Sequence, residues 1–165
     1  MRRKDREMSK EFALDVVDKC EYAVISMIDV EGMPYCLPIT IARDNDNVYF
    51  HCGPEGLKVD SLKANPEICM TCVGDTQRAT DKFTTEFESA ILRGRAEEVI
   101  DTNEKVHALK IICQRHTPAN MDAFDEAIAK SLFRTSVWKI AIREITGKRK
   151  KYDRNGEEMK YGRME

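Results

Sequence analysis

Three short β-rich segments near the start of the chain limit the folds that it can adopt. Residues 22–29, 34–43 and 47–52 are rich in β-branched and aromatic side chains, and only the short stretches VEGM and DNDN separate them. Connections this short join antiparallel neighbours, because a parallel crossover needs about a dozen residues or more. The pattern therefore predicts three antiparallel strands joined by hairpins.

The rest of the chain contains further helical and extended patterns. Ser9 precedes a helical apolar pattern as a good N-cap, and Asp101 and Glu104 have the spacing of a capping box. The predicted helices cover 10–20, 57–64, 101–116 and 120–133, the further strands cover 67–73, 84–100 and 135–145, and an exposed loop covers 74–83.

The order of these elements favours one fold class. Six strands linked by hairpins or short crossings predict a mainly β protein of the α+β type, a small antiparallel barrel with peripheral helices rather than a doubly wound parallel sheet. Gly94, inside a long alternating pattern, predicts a bulge or a close approach of two backbones. The 165 residues suit one domain over 1–147, followed by a basic tail over 148–165.

The composition excludes several classes of protein. Hydrophobic residues make up 42% and charged residues 34%, as in a globular protein, and a net charge of −2 offers no basic field for nucleic acid. No apolar run approaches the roughly 18 residues of a membrane helix, and no secretory signal follows the basic N-terminus. We therefore expect a cytoplasmic protein that binds neither membrane nor nucleic acid, with its six cysteines reduced.

The stretch YFHCGPEGLKVDSLKANP, residues 49–66, places a glycine-rich turn between a strand and a helix. Such a turn is either a phosphate-binding loop or an ordinary connection. Lys58 favours an anionic partner, because a cation in the first turn of a helix is otherwise mildly unfavourable. His51, at the strand end, fits a base, a ligand contact, a metal ligand or a hydrogen-bonded structural residue.

The CxxC motif formed by Cys69 and Cys72 is a weak candidate for a metal or redox site. Residues three apart in a strand point to opposite faces, so the two thiols would not converge, and we predict no metal. A zinc or thiol redox protein remains a further hypothesis, which metal analysis and thiol titration would test. The motifs GxSxG, GxGxxG and GxxxxGK[ST] do not occur, so a bound cofactor is expected to supply the chemistry.

Taken together, these segments resemble the pyridoxamine 5′-phosphate oxidase-like flavin-binding split barrels, and among them the nitroimidazole-resistance (Nim-type) flavoproteins. The resemblance spans nearly the whole chain, including YAVISMIDVEGMPYCLPIT, VYFHCGPEGLKVDSLKANPEICMTCV, FESAILRGRAEEV and VWKIAIREITGK. It implies a six-stranded antiparallel split β-barrel that forms a homodimer. It also implies FMN, or FAD, in grooves at the interface, with both chains contributing to each site.

The resemblance also assigns residues to the flavin site. His51 would contact the small-molecule substrate or deliver a proton. The other residues implied in cofactor binding are Leu37, Pro38, Ile39 and Thr40 along the flavin ring, Lys58, Ser89 and the 51–56 turn at the phosphate, and Trp138 from the partner subunit.

The implied activity is that of an FMN-dependent oxidoreductase that reduces a small organic acceptor such as a nitroimidazole or nitroaromatic compound. The alternative is a non-catalytic flavin- or haem-binding protein. Pyridoxamine phosphate oxidases proper carry a C-terminal arginine and histidine pair for their substrate, whereas no histidine follows His116 here. The resemblance therefore does not extend to vitamin B6 oxidation.

Overall fold

A computed structural model describes residues 2–79 and 81–161, and over these residues the chain forms eight strands and four α-helices. The strands are β1 (Glu7–Met8), β2 (Ala23–Ile28), β3 (Pro34–Ile39), β4 (Ala42–Asp44), β5 (Asn47–Cys52), β6 (Glu67–Arg78), β7 (Thr85–Glu98) and β8 (Ser136–Lys150). The helices are α1 (Lys10–Lys19), α2 (Leu57–Ala64), α3 (Thr102–His116) and α4 (Phe124–Ser131). No described helix is both long enough and apolar enough to pass through a membrane.

The strands form one antiparallel sheet that curls into an incompletely closed barrel. Their order is β3-β2-β6-β7-β8-β5-β4, and β1 pairs with the end of β8. The chain passes from β3 at one end of this ladder to β4 at the other through Thr40 and Ile41. We call this junction of residues 40–41 the seam. The predicted split barrel is confirmed: six strands have six or more residues, and β1 and β4 are short additions.

The first edge of the sheet, β3, offers few backbone donors. The N–H of Asp29 donates to Met33 O at 2.9 Å where β2 turns into β3. Because backbone hydrogen bonds alternate along an antiparallel pair, the even-numbered residues of β3 turn their backbone groups away from β2. Two of these residues are Pro34 and Pro38, which have no N–H. Proline is therefore placed where it costs no hydrogen bond of the ladder.

The core lies between the sheet and two helices. The apolar face of α1 buries Ala13, Val16 and Val17 completely within the barrel core. A second cluster forms beneath α3, where the buried residues include Tyr49, Ala108, Leu109, Ile112 and Val137. Burying a side chain such as leucine or isoleucine contributes about 1.5–3 kcal/mol, so these two faces fix both helices on the sheet.

Both predicted N-caps are present. The Ser9 hydroxyl accepts the N–H of Phe12, and the Asp101 carboxylate accepts the N–H of Glu104. The Glu104 carboxylate accepts the Tyr49 hydroxyl at 3.0 Å and contacts Lys139 Nζ at 2.9 Å. The same acidic residue that suggested a capping box therefore holds α3 against β5 and β8.

The prediction of a loop over 74–83 was wrong for residues 74–78, which belong to β6. Strand β6 continues to Arg78 after a register shift between Val73 and Thr76, and it still pairs with β7. The continuation leaves the barrel as a ribbon whose residues are mostly exposed, so no side of it needs apolar side chains. Residues 74–78 therefore lack the alternation of apolar and polar side chains from which strands are predicted.

Other predicted boundaries also shift. The strand predicted over 34–43 divides at the seam into β3 and β4, and the last strand extends to Lys150. The helix predicted over 120–133 contains α4 flanked by two 3₁₀ segments, Pro118–Ala123 and Leu132–Arg134. These differences leave the order of the elements unchanged.

Gly94 lies at the predicted irregularity. The register between β7 and β8 shifts between Arg93 and Gly94. A Cβ atom added to Gly94 would lie 2.3 Å from Ala141 O and 2.8 Å from Ile140 Cγ2. Both predicted features, the bulge and the close backbone approach, are therefore confirmed.

Charged residues join the two ends of the described chain. Arg6 Nε lies 2.6 Å from Glu158 Oε1, and Lys160 Nζ lies 2.9 Å from Asp5 Oδ2. The N–H of Tyr161 donates to Asp5 O at 3.0 Å. The end of the described tail, Glu158 to Tyr161, therefore contacts the N-terminus, whereas the first residues of the tail belong to β8 and residues 162–165 lie outside the described part.

We expect this contact between the termini to be lost in acid. Bonding to Arg6 lowers the pKa of Glu158 from about 4.5 to about 2, and Arg3 and then Lys160 lower the pKa of Asp5. A lowered carboxyl pKa stabilises the folded state above the unfolded pKa, and this contribution disappears as pH falls through the folded pKa. The contact should therefore weaken between about pH 4.5 and pH 2.

Limited digestion with pepsin, which is active in this range, measures that loss. Cleavage after residue 151 should increase as pH falls, relative to an unfolded reference protein digested alongside. The Glu158→Gln variant should be cleaved readily at every pH. Equal protection of the natural chain at pH 4.5 and pH 2 would contradict the prediction.

Candidate functional site

The corner between β5 and α2, residues His51–Lys58, provides an open helix N-terminus. Gly56 is the N-cap of α2 with a φ of +117°, a conformation that side chains with a Cβ rarely adopt. Among the described residues, no side chain caps this end of α2, and added Cβ atoms at Gly53 and Gly56 would meet none of their atoms within 4 Å. The corner therefore combines an uncapped helix start with open space beside two glycines, as anion-binding corners do.

Lys58 lies in the first turn of α2. Its Nζ is 5.7 Å from the centroid of the Phe50 ring, and the residue is half-buried. Lys63, at the other end of the helix, lies 3.8 Å from Glu98, whereas Lys58 forms no ion pair with any residue that the structure describes. A cation at this helix end without a carboxylate partner is suited to an anionic ligand.

His51 is partly exposed at the end of β5. Surrounding protein atoms lower its pKa by removing water from the ring, and the positive charges of Lys58 and His116 lower it further. The imidazole is therefore mainly neutral at pH 7. A neutral imidazole beside the cationic Lys58 can accept a hydrogen bond, and it releases a proton readily once it is protonated.

Two residues at the end of α3 contact the seam, and the sequence did not indicate them. Arg115 donates from its two terminal nitrogens to Ile41 O at 2.9 Å, Val17 O at 3.0 Å and Cys20 O at 2.6 Å. His116 Nε2 lies 2.8 Å from the same Ile41 O. His116 is half-buried at the last position of α3, and His107 is exposed on the same helix.

The predicted flavin-lining segment, Leu37 to Thr40, occupies the end of β3 and the start of the seam. Leu37 is half-buried and Ile39 is 8% exposed, and both pack against the core. Pro38 and Thr40 are exposed. His116, which contacts Ile41 O of the seam, is also close enough to His51 to lower the pKa of His51. The seam and the β5–α2 corner are therefore neighbours.

Ser89 lies elsewhere on the chain. It is half-buried on the outer face of β7, where it lines a cavity of about 340 Å³ with Ile91 and Lys148. On β8, Ser89 pairs with Lys148, whereas His51 pairs with Val137. These two positions on β8 are eleven residues apart. That separation corresponds to on the order of 36 Å of extended strand. Its predicted contact with the phosphate stays a prediction, which would require a second subunit.

Trp138 is a core residue of this chain. Its ring is 2% exposed, and its register partner on β5 is Phe50. Trp138 Nε1 is buried and has no hydrogen-bond partner among the described residues. Burial leaves the ring little surface for a ligand, so its predicted contact with a partner's flavin stays a prediction.

The thiols of the CxxC motif diverge as predicted. Cys69 lies half-buried on the outer face of β6, whereas Cys72 is fully buried on the inner face. The described residues contain no group of three or more histidine, cysteine, aspartate or glutamate side chains that could hold a metal ion.

The sequence matches one protein family over most of its length. The model of the family described as pyridoxamine 5′-phosphate oxidase matches residues 9–149. The chain belongs to this family. The match begins before α1 and ends within β8, so the similarity to the pyridoxamine 5′-phosphate oxidase family covers strands β2 to β7 and nearly all of β8. A search among curated proteins found no match.

Solved structures share this fold. A candidate 5-nitroimidazole antibiotic resistance protein from Bacteroides thetaiotaomicron is 30% identical, with a TM-score of 0.73, over 86% of this chain and 85% of that one. A flavocytochrome from Azotobacter vinelandii is 22% identical, with a TM-score of 0.74, over 95% and 78% of the two chains. An FAD- and haem-binding protein from Mycobacterium smegmatis is 19% identical, with a TM-score of 0.74, over 88% and 73%.

Proposed function

We propose that this protein is a homodimeric, FMN-dependent oxidoreductase that reduces a small organic acceptor such as a nitroimidazole or another nitroaromatic compound. Membership of the pyridoxamine 5′-phosphate oxidase family supports a flavin. The similarity to the Bacteroides protein, at 30% identity, supports the nitro acceptor. The observation that carries the proposal is the open β5–α2 corner with Lys58.

The residues of this corner fit a flavin that carries a phosphate. A phosphate needs several N–H donors and a cation, and the uncapped start of α2 and Lys58 provide both. Gly53 and Gly56 leave the space in which the phosphate would lie. FMN and FAD both present such a phosphate group, so FAD is the second choice of cofactor.

The roles of the protein residues follow from their positions. A bound flavin supplies electron transfer between a donor and the acceptor. Lys58 and the start of α2 would hold its phosphate, and the backbone from Leu37 to Thr40 would lie along its ring. Thr40 directly follows β3, and continued alternation of the ladder would direct its N–H away from β2, where it would serve as a hydrogen-bond donor. His51, beside the seam, contacts the acceptor and supplies a proton.

The proposed dimer would cover an apolar part of the sheet. Tyr22 is 55% exposed, Val73 52% and Ile91 45%, and all three lie on the outer face of neighbouring strands or beside it. Val24 and Thr71 complete this face. Clustered exposed apolar side chains of this kind favour a protein interface. Light scattering should give twice the chain mass of 19.0 kDa.

An absorbance scan of the purified protein tests the cofactor. Bound flavin gives bands in the blue and near-ultraviolet, and flavin-free protein should regain them when FMN is added and excess is removed. Under anaerobic conditions, a nicotinamide donor should bleach these bands and a nitroimidazole should restore them. Protein that neither contains nor binds FMN or FAD would overturn the proposal.

The rival function is binding of flavin or haem without turnover. The Mycobacterium smegmatis protein, which shares the fold, binds FAD and haem, and this similarity favours the second candidate function. It predicts a Soret band after reconstitution with haem, or bound flavin that neither nicotinamide nor nitro compound converts. Either result would replace the oxidoreductase assignment.

We expect His51→Asn to lower kcat about 100-fold, the usual contribution of a positioned acid. The donor is the imidazolium form, whose pKa is lowered, so the rate should rise as pH falls toward that pKa and then level off. The variant should lose this rise. The measurement is kcat for nitro reduction from pH 5 to pH 8.

His107→Asn is the matched control, because His107 is exposed and contacts Asp44 Oδ2 at 2.9 Å, away from the corner. Its kcat and pH profile should equal those of the natural chain. A His51→Asn enzyme with an unchanged profile would exclude a proton-delivery role for His51.

A further inference from the structure

We infer that Arg115 is a positioning residue for the flavin site, because its guanidinium group fastens the seam to α1 and α3. This inference rests on the proposed function, which places the flavin ring along residues 37–40. Neither the family match nor the sequence motifs single out Arg115. What identifies it is the set of backbone groups that it contacts.

The contacts of Arg115 converge on three carbonyl groups from two segments. One terminal nitrogen donates to Ile41 O at 2.9 Å, and the other donates to Val17 O at 3.0 Å and Cys20 O at 2.6 Å. The second nitrogen also lies 3.8 Å from Cys20 Sγ. A planar guanidinium can serve such divergent acceptors at once, whereas a lysine ammonium is a single point of charge.

These acceptors are at places where regular structure ends. Val17 and Cys20 belong to the last turn and the C-cap of α1, and Ile41 lies between β3 and β4. Carbonyl groups at such ends lack the partners that a helix or ladder would provide. Arg115, itself near the C-terminus of α3, also complements the dipole of that helix.

The position of the seam therefore depends on side chains. No strand ladder joins β3 to β4 among the described residues, and Ile41 is fully buried beneath the contact. Arg115 and His116 both bind Ile41 O, so the end of α3 fixes the carbonyl that follows Thr40. Thr40, in turn, is the exposed end of the proposed flavin-lining segment.

The test compares Arg115→Lys with Arg43→Lys. Arg43 also holds α1, through bonds to Asp18, and it lies two residues beyond Ile41, but it donates to Asn45 O and not to the seam. The two variants therefore make the same substitution at two arginines that both tether α1. Circular dichroism melts establish that each is folded at the assay temperature, and Arg115→Gln replaces Arg115→Lys if the latter does not fold.

Three readouts are used. In flavin-free protein, amide hydrogen exchange over residues 37–42 should become faster in Arg115→Lys and stay unchanged in Arg43→Lys. In titrations with FMN, Arg115→Lys should bind about tenfold more weakly, as expected for the loss of one or two hydrogen bonds that order the site. The midpoint potential of its bound FMN should also differ from that of the natural protein.

The outcomes separate the inference from the proposed function. A natural chain that binds no flavin overturns the proposed function and the inference with it. A natural chain that binds FMN, together with an Arg115→Lys variant of unchanged affinity or unchanged exchange, overturns the inference alone. Equal effects of Arg115→Lys and Arg43→Lys also overturn it, because general loosening of α1 would then explain both.

Discussion

The Gly94→Ala variant is expected to lose about 3 kcal/mol or more of unfolding free energy, at the upper end of what overpacking costs. The added methyl group would lie 2.3 Å from Ala141 O and 3.1 Å from Ala141 C, which are backbone atoms of the neighbouring strand. A backbone cannot rotate away as a flexible side chain can, so β7 and β8 must separate at the bulge. Urea unfolding followed by circular dichroism measures the loss.

Gly53→Ala is the matched control for this substitution. A Cβ atom at Gly53 meets no atom of the described residues within 4 Å, so the same added methyl group should change stability little. Comparable losses of stability in both variants would contradict the close contact as the cause. A Gly94→Ala protein as stable as the natural chain would show that β7 and β8 separate at the bulge at little cost.

Lys58→Ala is expected to weaken FMN binding about 10- to 100-fold, since a hydrogen bond to a charged group contributes about 1.5–3 kcal/mol. The reason is the loss of the one cationic side chain in the first turn of α2, where the dipole of the helix already favours an anion. The quenching of flavin fluorescence during titration gives the dissociation constant. Riboflavin, which lacks the phosphate, should bind equally to both proteins.

Lys63→Ala provides the comparison within the same helix. Lys63 is exposed in the last turn of α2 and its ion pair is with Glu98, so its removal should leave FMN affinity unchanged. If Lys58→Ala binds FMN as the natural chain does, or if riboflavin binding falls as much as FMN binding, Lys58 is not the phosphate ligand.

The sequence predicted those parts of the fold in which one face is buried. Helix α1 buries apolar residues on one side, and strand β7 alternates buried and more exposed residues from Glu88 to Glu97, with Gly94 at a buried position. The continuation of β6 to Arg78 was missed because a ribbon exposed on both faces needs no alternation. The period of apolar residues indicates which face of an element is buried, so it does not predict strands that pair without a buried face.

For the site, sequence reasoning identified groups whose local setting is unusual. Lys58 stands at a helix start after two glycines, and this signal depends only on neighbours in the chain. Arg115 and His116 contact Ile41, more than seventy residues earlier, and no local pattern announces such contacts. An arginine in the last turn of a helix is ordinary, and only the folded chain shows which carbonyl groups it reaches.

The prolines of β3 bear on how the protein behaves at high concentration. A barrel that is not closed leaves a strand to which another chain could add, and growth by such addition leads to fibres. Pro34 and Pro38 remove donors from that side of β3, so an incoming strand would find alternate bonding positions blocked. The sheet can thus remain open beside the seam, where a small molecule could enter, without becoming a template for aggregation.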